Sequence, residues 1–193
     1  MAIAHRPTDR DFIWKMIIGG QGGVGKTTIL YRFVHDQFIE KMKMTIGVDF
    51  HKKIVNRQGC AIELILWDLG GQDRFRLIQP DYIRGASGGF VCFDTSKRST
   101  LEDAREWIAM FRKFNHPDDG KRPMPIVLVG TKYDLIENDP EQAKMVIDDA
   151  TVLAQEQGIL GPSITSAKTG FNVDETIHYM VDVLLENSNS GTS

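Results

Sequence analysis

Cysteine is nearly absent: Cys60 and Cys92 are the only two in 193 residues. So few thiols cannot form a disulfide framework, and no Cys or His pair stands at zinc-ligand spacing, so a reducing compartment is expected, with both thiols acting as small buried hydrophobes. Proline is sparse as well, at 7 residues, and no repeat or low-complexity tract occurs, which excludes collagen-like and disordered classes. No apolar run approaches the roughly 18 residues that a membrane span needs, and the opening MAIAHRPTDRDF lacks the apolar stretch of a signal peptide. A cytoplasmic protein is the expectation. Ala2 rules out N-myristoylation and the final ENSNSGTS offers no cysteine for a prenyl or palmitoyl group, so no direct lipid anchor is expected and any membrane association is indirect. Neither sign of charge dominates: 23 basic against 26 acidic residues leave a net charge of −3, with no bulk attraction for nucleic acid. The histidines His5, His35, His51, His116 and His178 form no cluster, and none is given a catalytic part.

What is present is an ordinary globular composition, 41% hydrophobic and 25% charged, at a length that suits one domain with short tails at 1–11 and 188–193. Short apolar runs recur at 14–19, 62–68, 89–94 and 125–130, with a weaker one at 163–167. Helical periodicity fills the gaps between them: Leu101, Ala104, Ile108 and Phe111 share one face, as do Ala143, Val146, Ala150 and Ala154, and Val173, Ile177, Met180, Val181 and Leu184. Strands apolar on both faces that alternate with helices predict a mostly parallel sheet covered on each side. The segment 47–55, a turn at Asn56-Arg57-Gln58-Gly59 and the strand that follows leave no room for a helix, so a hairpin should add one antiparallel edge strand. The loop 116–124 is too short to divide domains.

The first strand runs into Gly20-Gln21-Gly22-Gly23-Val24-Gly25-Lys26-Thr27, which fits G-x-x-x-x-G-K-[ST], and Thr28 continues into a helical pattern. Strand, glycine-rich loop and helix form the context such a phosphate loop requires. Its backbone N–H groups turn inward at a helix N-terminus, Lys26 supplies a point charge to the β- and γ-phosphates, and the Thr27 hydroxyl is a Mg²⁺ ligand. Asp68 ends another strand, where a carboxylate is placed to hold a Mg²⁺-bound water, and Gly70-Gly71-Gln72 follow with a backbone able to approach a γ-phosphate.

The base is read from a third strand end, where Thr131-Lys132-Tyr133-Asp134 follow the run at 125–130. A carboxylate at Asp134 accepts from guanine N1–H and N2–H₂, a donor pair adenine lacks, while the Lys132 stem lies over the ring. Four residues alone are a weak signal. Ser166-Ala167-Lys168 strengthens it, since the Ala167 N–H can donate to the guanine carbonyl oxygen.

With these pieces in order the sequence resembles a small GTPase of the Ras superfamily, most like the Rab branch, over residues 12–187. The resemblance rests on the phosphate loop, Thr45-Ile46-Gly47-Val48-Asp49-Phe50, Trp67-Asp68-Leu69-Gly70-Gly71-Gln72, Thr131-Lys132-Tyr133-Asp134 and Thr165-Ser166-Ala167-Lys168. It implies a G domain, an α/β P-loop NTPase fold with a mostly parallel six-stranded sheet, one antiparallel edge strand and helices on both faces. It also implies a monomeric GTPase that binds GTP and GDP with Mg²⁺ and hydrolyses GTP slowly, and that works with an activating protein, an exchange factor and effectors. Residue by residue, Gly22, Gly23, Val24, Gly25, Lys26, Thr27 and Thr28 would bind the phosphates, and Phe38 would stack edge-on against the base. Thr45 in switch I would reach Mg²⁺ and, by its N–H, the γ-phosphate. Gly71 would sense the γ-phosphate from switch II, and the catalytic residues would be Gln72, which positions the attacking water, and Lys26. Thr131, Lys132, Asp134, Ser166, Ala167 and Lys168 would hold the base, with Mg²⁺ on Thr27, Thr45 and, through water, Asp68. Segments 39–48 and 69–83 are the expected switches.

Four departures accompany the match. Thr131 replaces the usual Asn; Leu69-Gly70 replaces Thr-Ala, with Gly70 expected to add freedom to switch II; Met42 stands where a Tyr usually lids the phosphates; and the C-terminal cysteines of Rabs are missing. Two other classes fit parts of the pattern. A P-loop phosphotransferase needs an Arg-rich lid that is not seen here, and a non-hydrolysing GTP-binding scaffold sits poorly with the retained Lys26, Thr45 and Gln72.

Overall fold

The computed structural model describes residues 10–75, 77–115 and 123–189, so most of the expected tails and of the 116–124 loop lie outside the described residues, while residues 188 and 189 continue the last helix. Six strands, β1 (Phe12–Gly19), β2 (Val48–Arg57), β3 (Cys60–Leu69), β4 (Gly88–Asp94), β5 (Ile126–Thr131) and β6 (Leu160–Ile164), form one sheet in the order β2-β3-β1-β4-β5-β6. Only the β2–β3 pair is antiparallel; the other pairs run parallel. Burial explains the apolar runs, since every residue of β4 and β5 is buried between two helical layers.

Those layers divide the side chains of each strand. Met16 and Ile18 of β1 face α1 (Lys26–His35) and α5 (Val173–Asn189), whereas Ile17 faces α2 (Gln79–Ile83), α3 (Ser99–Phe114) and α4 (Pro140–Glu156). The period-two alternation of a strand puts consecutive residues into opposite cores. Local chemistry sets the helix ends: Asp139 caps α4 by accepting from the Gln142 N–H at 3.1 Å, with Pro140 in the first turn. Cys92 is buried and Cys60 half-buried.

Two elements differ from the sequence expectation. The hairpin turn is tighter, because β2 persists through Arg57 and only Gln58 (φ 51°) and Gly59 (φ 81°) turn, both at the positive φ that matches strand twist. The last strand is Leu160–Ile164 rather than 163–167. It lies at a sheet edge, where Pro162 removes a donor without breaking a central ladder, and its register against β5 shifts between Val127 and Val129. Thr165, Ser166 and Ala167 therefore fall in the loop beyond the strand end, where the Thr165 N–H donates to the Gly130 carbonyl at 2.7 Å and the Ser166 N–H to the Phe171 carbonyl at 3.0 Å.

The helix α3 approaches β1 closely at its last residue. A Cβ at Gly19 would lie 2.4 Å from Trp107 Cε3 and 2.8 Å from Phe111 Cζ, both rings being buried. Gly19→Ala is expected to lower unfolding free energy by about 1–3 kcal/mol through forced repacking, measured by urea denaturation.

Candidate functional site

The C-terminal ends of β1, β3, β4 and β5 lie along one edge of the sheet, and every motif named above emerges there. The β1–β3 register sets Ile18 opposite Asp68, so the strand leading into the phosphate loop ends level with that carboxylate. Gly25, at φ 99°, turns the loop into α1. Lys26 opens the helix and is buried, its Nζ donating to the carbonyls of Gly20 at 2.8 Å and Gln21 at 3.0 Å. Burial lowers its pKa, and the charge of Asp68 opposes that shift.

Asp68 is fully buried at the end of β3. Its Oδ2 accepts from the hydroxyls of Thr27 and of Thr45, the latter at 2.8 Å, and the two hydroxyl oxygens are themselves 2.7 Å apart. Two hydroxyl protons thus serve three close oxygen contacts. Asp68 Oδ1 is buried with no hydrogen-bond partner among the described residues. Burial pushes the carboxyl pKa up, against the pull of the Thr27 hydroxyl, the Lys26 charge and the Thr45 hydroxyl. Hard oxygens short of protons, one of them orphaned, make a donor set of the kind Mg²⁺ takes with one carboxylate and further water or phosphate oxygens.

Two cavities flank this cluster. One of about 350 Å³ is lined by Gly22, Gly23, Gly25, Lys26, Thr27, Thr28, Thr45, Gly71 and Lys132, together with Glu40, Met42, Lys43 and Met44 of switch I. The second, about 340 Å³, is lined by Gly25, Thr28, Phe38, Thr131, Lys132, Asp134, Ala167 and Lys168, with Ile29, Ile39, Glu40 and Leu135. Val24, Asp68 and Ser166 line neither. Val24 is packed in the core, and its carbonyl is instead an anchor: the Thr131 hydroxyl lies against it, and lies 2.9 Å from the Phe93 carbonyl. One proton cannot serve both. Ser166 stands behind Asp134, donating from Oγ to Oδ1 at 2.6 Å, while Lys168 Nζ is 3.9 Å from Oδ2.

Sequence reasoning missed several supporting groups. Asp94, buried at the end of β4, holds Lys132 Nζ at 2.7 Å, and the Gly23 carbonyl takes a second bond from that ammonium at 2.7 Å. Its place at a strand end in this sheet was a usable signal. Gln79, buried in the short α2, donates to the Gly70 carbonyl at 2.7 Å, and no local pattern marks it. Gln72 lies beside the would-be Cβ of Gly22, and its amide contacts the Met44 thioether.

The expectation that Gly70 loosens switch II is corrected by its contacts. Gly70 N–H donates to the Gly47 carbonyl at 2.8 Å, joining the two switch segments, and a Cβ at this position would lie 2.6 Å from that same oxygen. Close approach, not freedom, is what requires glycine.

A phosphate loop between strand and helix, on a mostly parallel sheet with its motifs at one edge, defines an α/β P-loop NTPase. The sequence profile of the Ras family matches residues 15–186. The chain belongs to the Ras family, and so is a small GTPase that binds GTP and GDP. It is 36% identical over 190 residues to the Ras-related protein Rab-32 of Homo sapiens, covering 98% of this chain and 82% of the relative. Against the Ras-related protein Rab-19 of Xenopus laevis the identity is 34% over 175 residues, 91% and 78% of the two chains. Against the Ras-related protein Rab-12 of Mus musculus it is 37% over 180 residues, 93% and 70%. Among the described residues no helix is long and apolar enough to cross a membrane.

Gly70→Ala should displace the Gly47 carbonyl. Hydrogen exchange in 39–48 and 69–83 is expected to quicken with a non-hydrolysable GTP analogue bound, while strands β4 and β5 keep their protection; unchanged exchange in both switches would show the contact to be dispensable.

Proposed function

We propose that this chain is a Mg²⁺-dependent guanine-nucleotide switch with slow intrinsic GTP hydrolysis, whose two switch segments report the nucleotide to protein partners. The observation that carries this reading is Thr45, a switch I residue, meeting Thr27 of the phosphate loop and Asp68 of β3 through side-chain oxygens. In this reading the hydroxyls of Thr27 and Thr45 hold Mg²⁺ directly and Asp68 holds it through water. The bound ion neutralises negative charge on the β- and γ-phosphates. The loop N–H groups and Lys26 hold the phosphates, exchanging some of the present carbonyl bonds of the ammonium for phosphate oxygens.

Base selection falls to Asp134, whose orientation is set from behind by Ser166, with the Lys132 stem and Phe38 bounding the ring and the Ala167 N–H facing its carbonyl. Guanine nucleotides are expected to bind more tightly than adenine nucleotides by a factor on the order of 10⁴, since adenine offers the part-buried Asp134 carboxylate no donor pair. Asp134→Asn should turn the preference toward xanthine nucleotides, because an amide donor then meets a xanthine carbonyl. Equilibrium titration with fluorescent GDP, ADP and XDP measures both, and equal affinity for ADP and GDP in the unmodified protein would sink the reading.

Hydrolysis joins a water oxygen to the γ-phosphorus as the bond to the bridging oxygen breaks, releasing GDP and inorganic phosphate. In this reading Gln72 orients that water, on releasing the Met44 thioether that its amide contacts. No arginine lies in switch I before Thr45, where Lys41 and Lys43 stand instead, and an ammonium lacks the planar fork that spans two phosphate oxygens. Intrinsic turnover is therefore expected on the order of 10⁻⁴ to 10⁻³ s⁻¹, the scale of Ras without an arginine supplied, with acceleration by an activating protein that inserts one. Single-turnover assays should find Gln72→Leu slower still. Gly22→Val should act alike, since its side chain would grow toward Gly71 and Gln72, 3.8–3.9 Å from the would-be Cβ. A wild-type rate near 1 s⁻¹, or one indifferent to Gln72→Leu, would refute the catalytic assignment.

A partner-reading surface adjoins the switches. Phe50, Trp67 and Tyr82 form an aromatic row from β2 through β3 to α2, with ring centroids 5.4 and 5.3 Å apart and Phe50 half exposed. Ile46 and Leu77, one in each switch segment, are exposed as well, so an effector reading both segments would meet apolar side chains on each.

A further inference from the structure

Three lysines line the phosphate-side cavity: Lys26, Lys43 and Lys132. Two are already engaged. The Lys26 ammonium is held by the Gly20 and Gln21 carbonyls and faces the charge of Asp68, and that of Lys132 is ion-paired with buried Asp94. Lys43 is different: among the described residues its ammonium has no hydrogen-bond or ion-pair partner, although Glu40 lines the same cavity. Its neighbour Met42 also lines the cavity, but a thioether has no proton to donate. Lys41, on the other side of Met42, lines neither cavity.

We infer that Lys43 is the switch I cation that closes over the terminal phosphates of the bound nucleotide, favouring the triphosphate over the diphosphate. This rests on the guanine-nucleotide reading above and adds a residue to it. The argument is one of charge. The γ-phosphate adds negative charge beyond the diphosphate, while the Lys132 cation is neutralised by a buried carboxylate and Lys26 is shared between the phosphates and Asp68. An ammonium on a flexible stem, unpaired and carried by the segment that brings Thr45 inward, meets that extra charge when switch I is closed. It does so in the position left open because Met42 cannot donate. Lys43 is thus a specificity-determining residue for the third phosphate and for holding switch I shut.

The test compares wild type, Lys43→Met, Lys43→Arg and Lys41→Met, titrated with a fluorescent GDP and a fluorescent non-hydrolysable GTP analogue at two salt concentrations. Lys43→Met should weaken the GTP analogue about tenfold, the scale of one charge-assisted hydrogen bond, and GDP by less than about threefold. Its affinity for the GTP analogue should fall less steeply with salt than that of the wild type. Lys43→Arg should retain the wild-type preference and Lys41→Met should match wild type throughout. Equal affinity of wild type and Lys43→Met for the GTP analogue overturns the inference, as does an equal loss for GDP and the GTP analogue, which would mark a general effect on switch I. A wild-type protein that binds adenine and guanine nucleotides alike overturns the base reading instead, and the same comparison with the adenine pair then tests Lys43 by itself.

Discussion

A carboxylate with no exposure, Asp68, is the constraint around which the nucleotide side of this protein is arranged. Burying a charge is costly unless it is paired and hydrogen-bonded, and Asp68 draws its compensation from two separate parts of the chain: the Thr27 hydroxyl and the Lys26 charge at the start of α1, and the Thr45 hydroxyl of switch I. Each compensation fixes a distance. The parallel β1–β3 register brings the carboxylate level with the end of β1, α1 starts directly above it, and switch I must fold inward for its hydroxyl to reach. The orphaned Oδ1 leaves the arrangement incomplete within the polypeptide, so a further polar partner gains there what the protein does not supply.

The base side repeats this logic in two layers. Groups that face the cavity, Lys132 and Asp134, are held from behind by Asp94 and Ser166, while Thr131 ties the strand end to the phosphate loop through the Val24 carbonyl. In the β4–β5 register Asp94 lies opposite Thr131, so one rung of the sheet supplies both supports. A Thr in place of the longer Asn keeps this tie, because the hydroxyl needs to reach only a loop carbonyl packed against it. The walls of the two cavities are thereby joined, by Thr131 against the Val24 carbonyl and by the Lys132 ammonium on the Gly23 carbonyl.

The sheet and its helices were legible because periodicity is local. Runs apolar on both faces declare a buried parallel strand, and β1, β3, β4 and β5 were found for that reason. The edge strand β6 was misplaced by three residues because the run at 163–167 owes part of its apolar look to Ala167, a loop residue buried beside α5, while Gly161 and Pro162 mask the real strand. The residues proposed for phosphate, Mg²⁺ and base could be picked out of the sequence because such chemistry would demand particular side chains at particular offsets. Their supports could not. Gln79 and Asp94 act across contacts distant in sequence, and any donor or carboxylate of the right length would satisfy the same offsets.

Gly70 shows the limit most clearly. From sequence, a glycine reads as freedom; in the fold its missing Cβ permits a backbone bond from switch II to switch I, and its carbonyl is held in turn by buried Gln79. A backbone bond between the switches makes their states dependent on each other without any side chain of either. A γ-phosphate that attracts one segment then biases the other by the free energy of that bond, and a ligand lacking differential contacts could not. A typical hydrogen bond contributes only about 0.5–1.5 kcal/mol net, so in the proposed switch this bond would correlate the two segments without holding them closed once the γ-phosphate leaves. A clasp much stronger would hold the closed state with either nucleotide, and the protein would no longer report which one it carries.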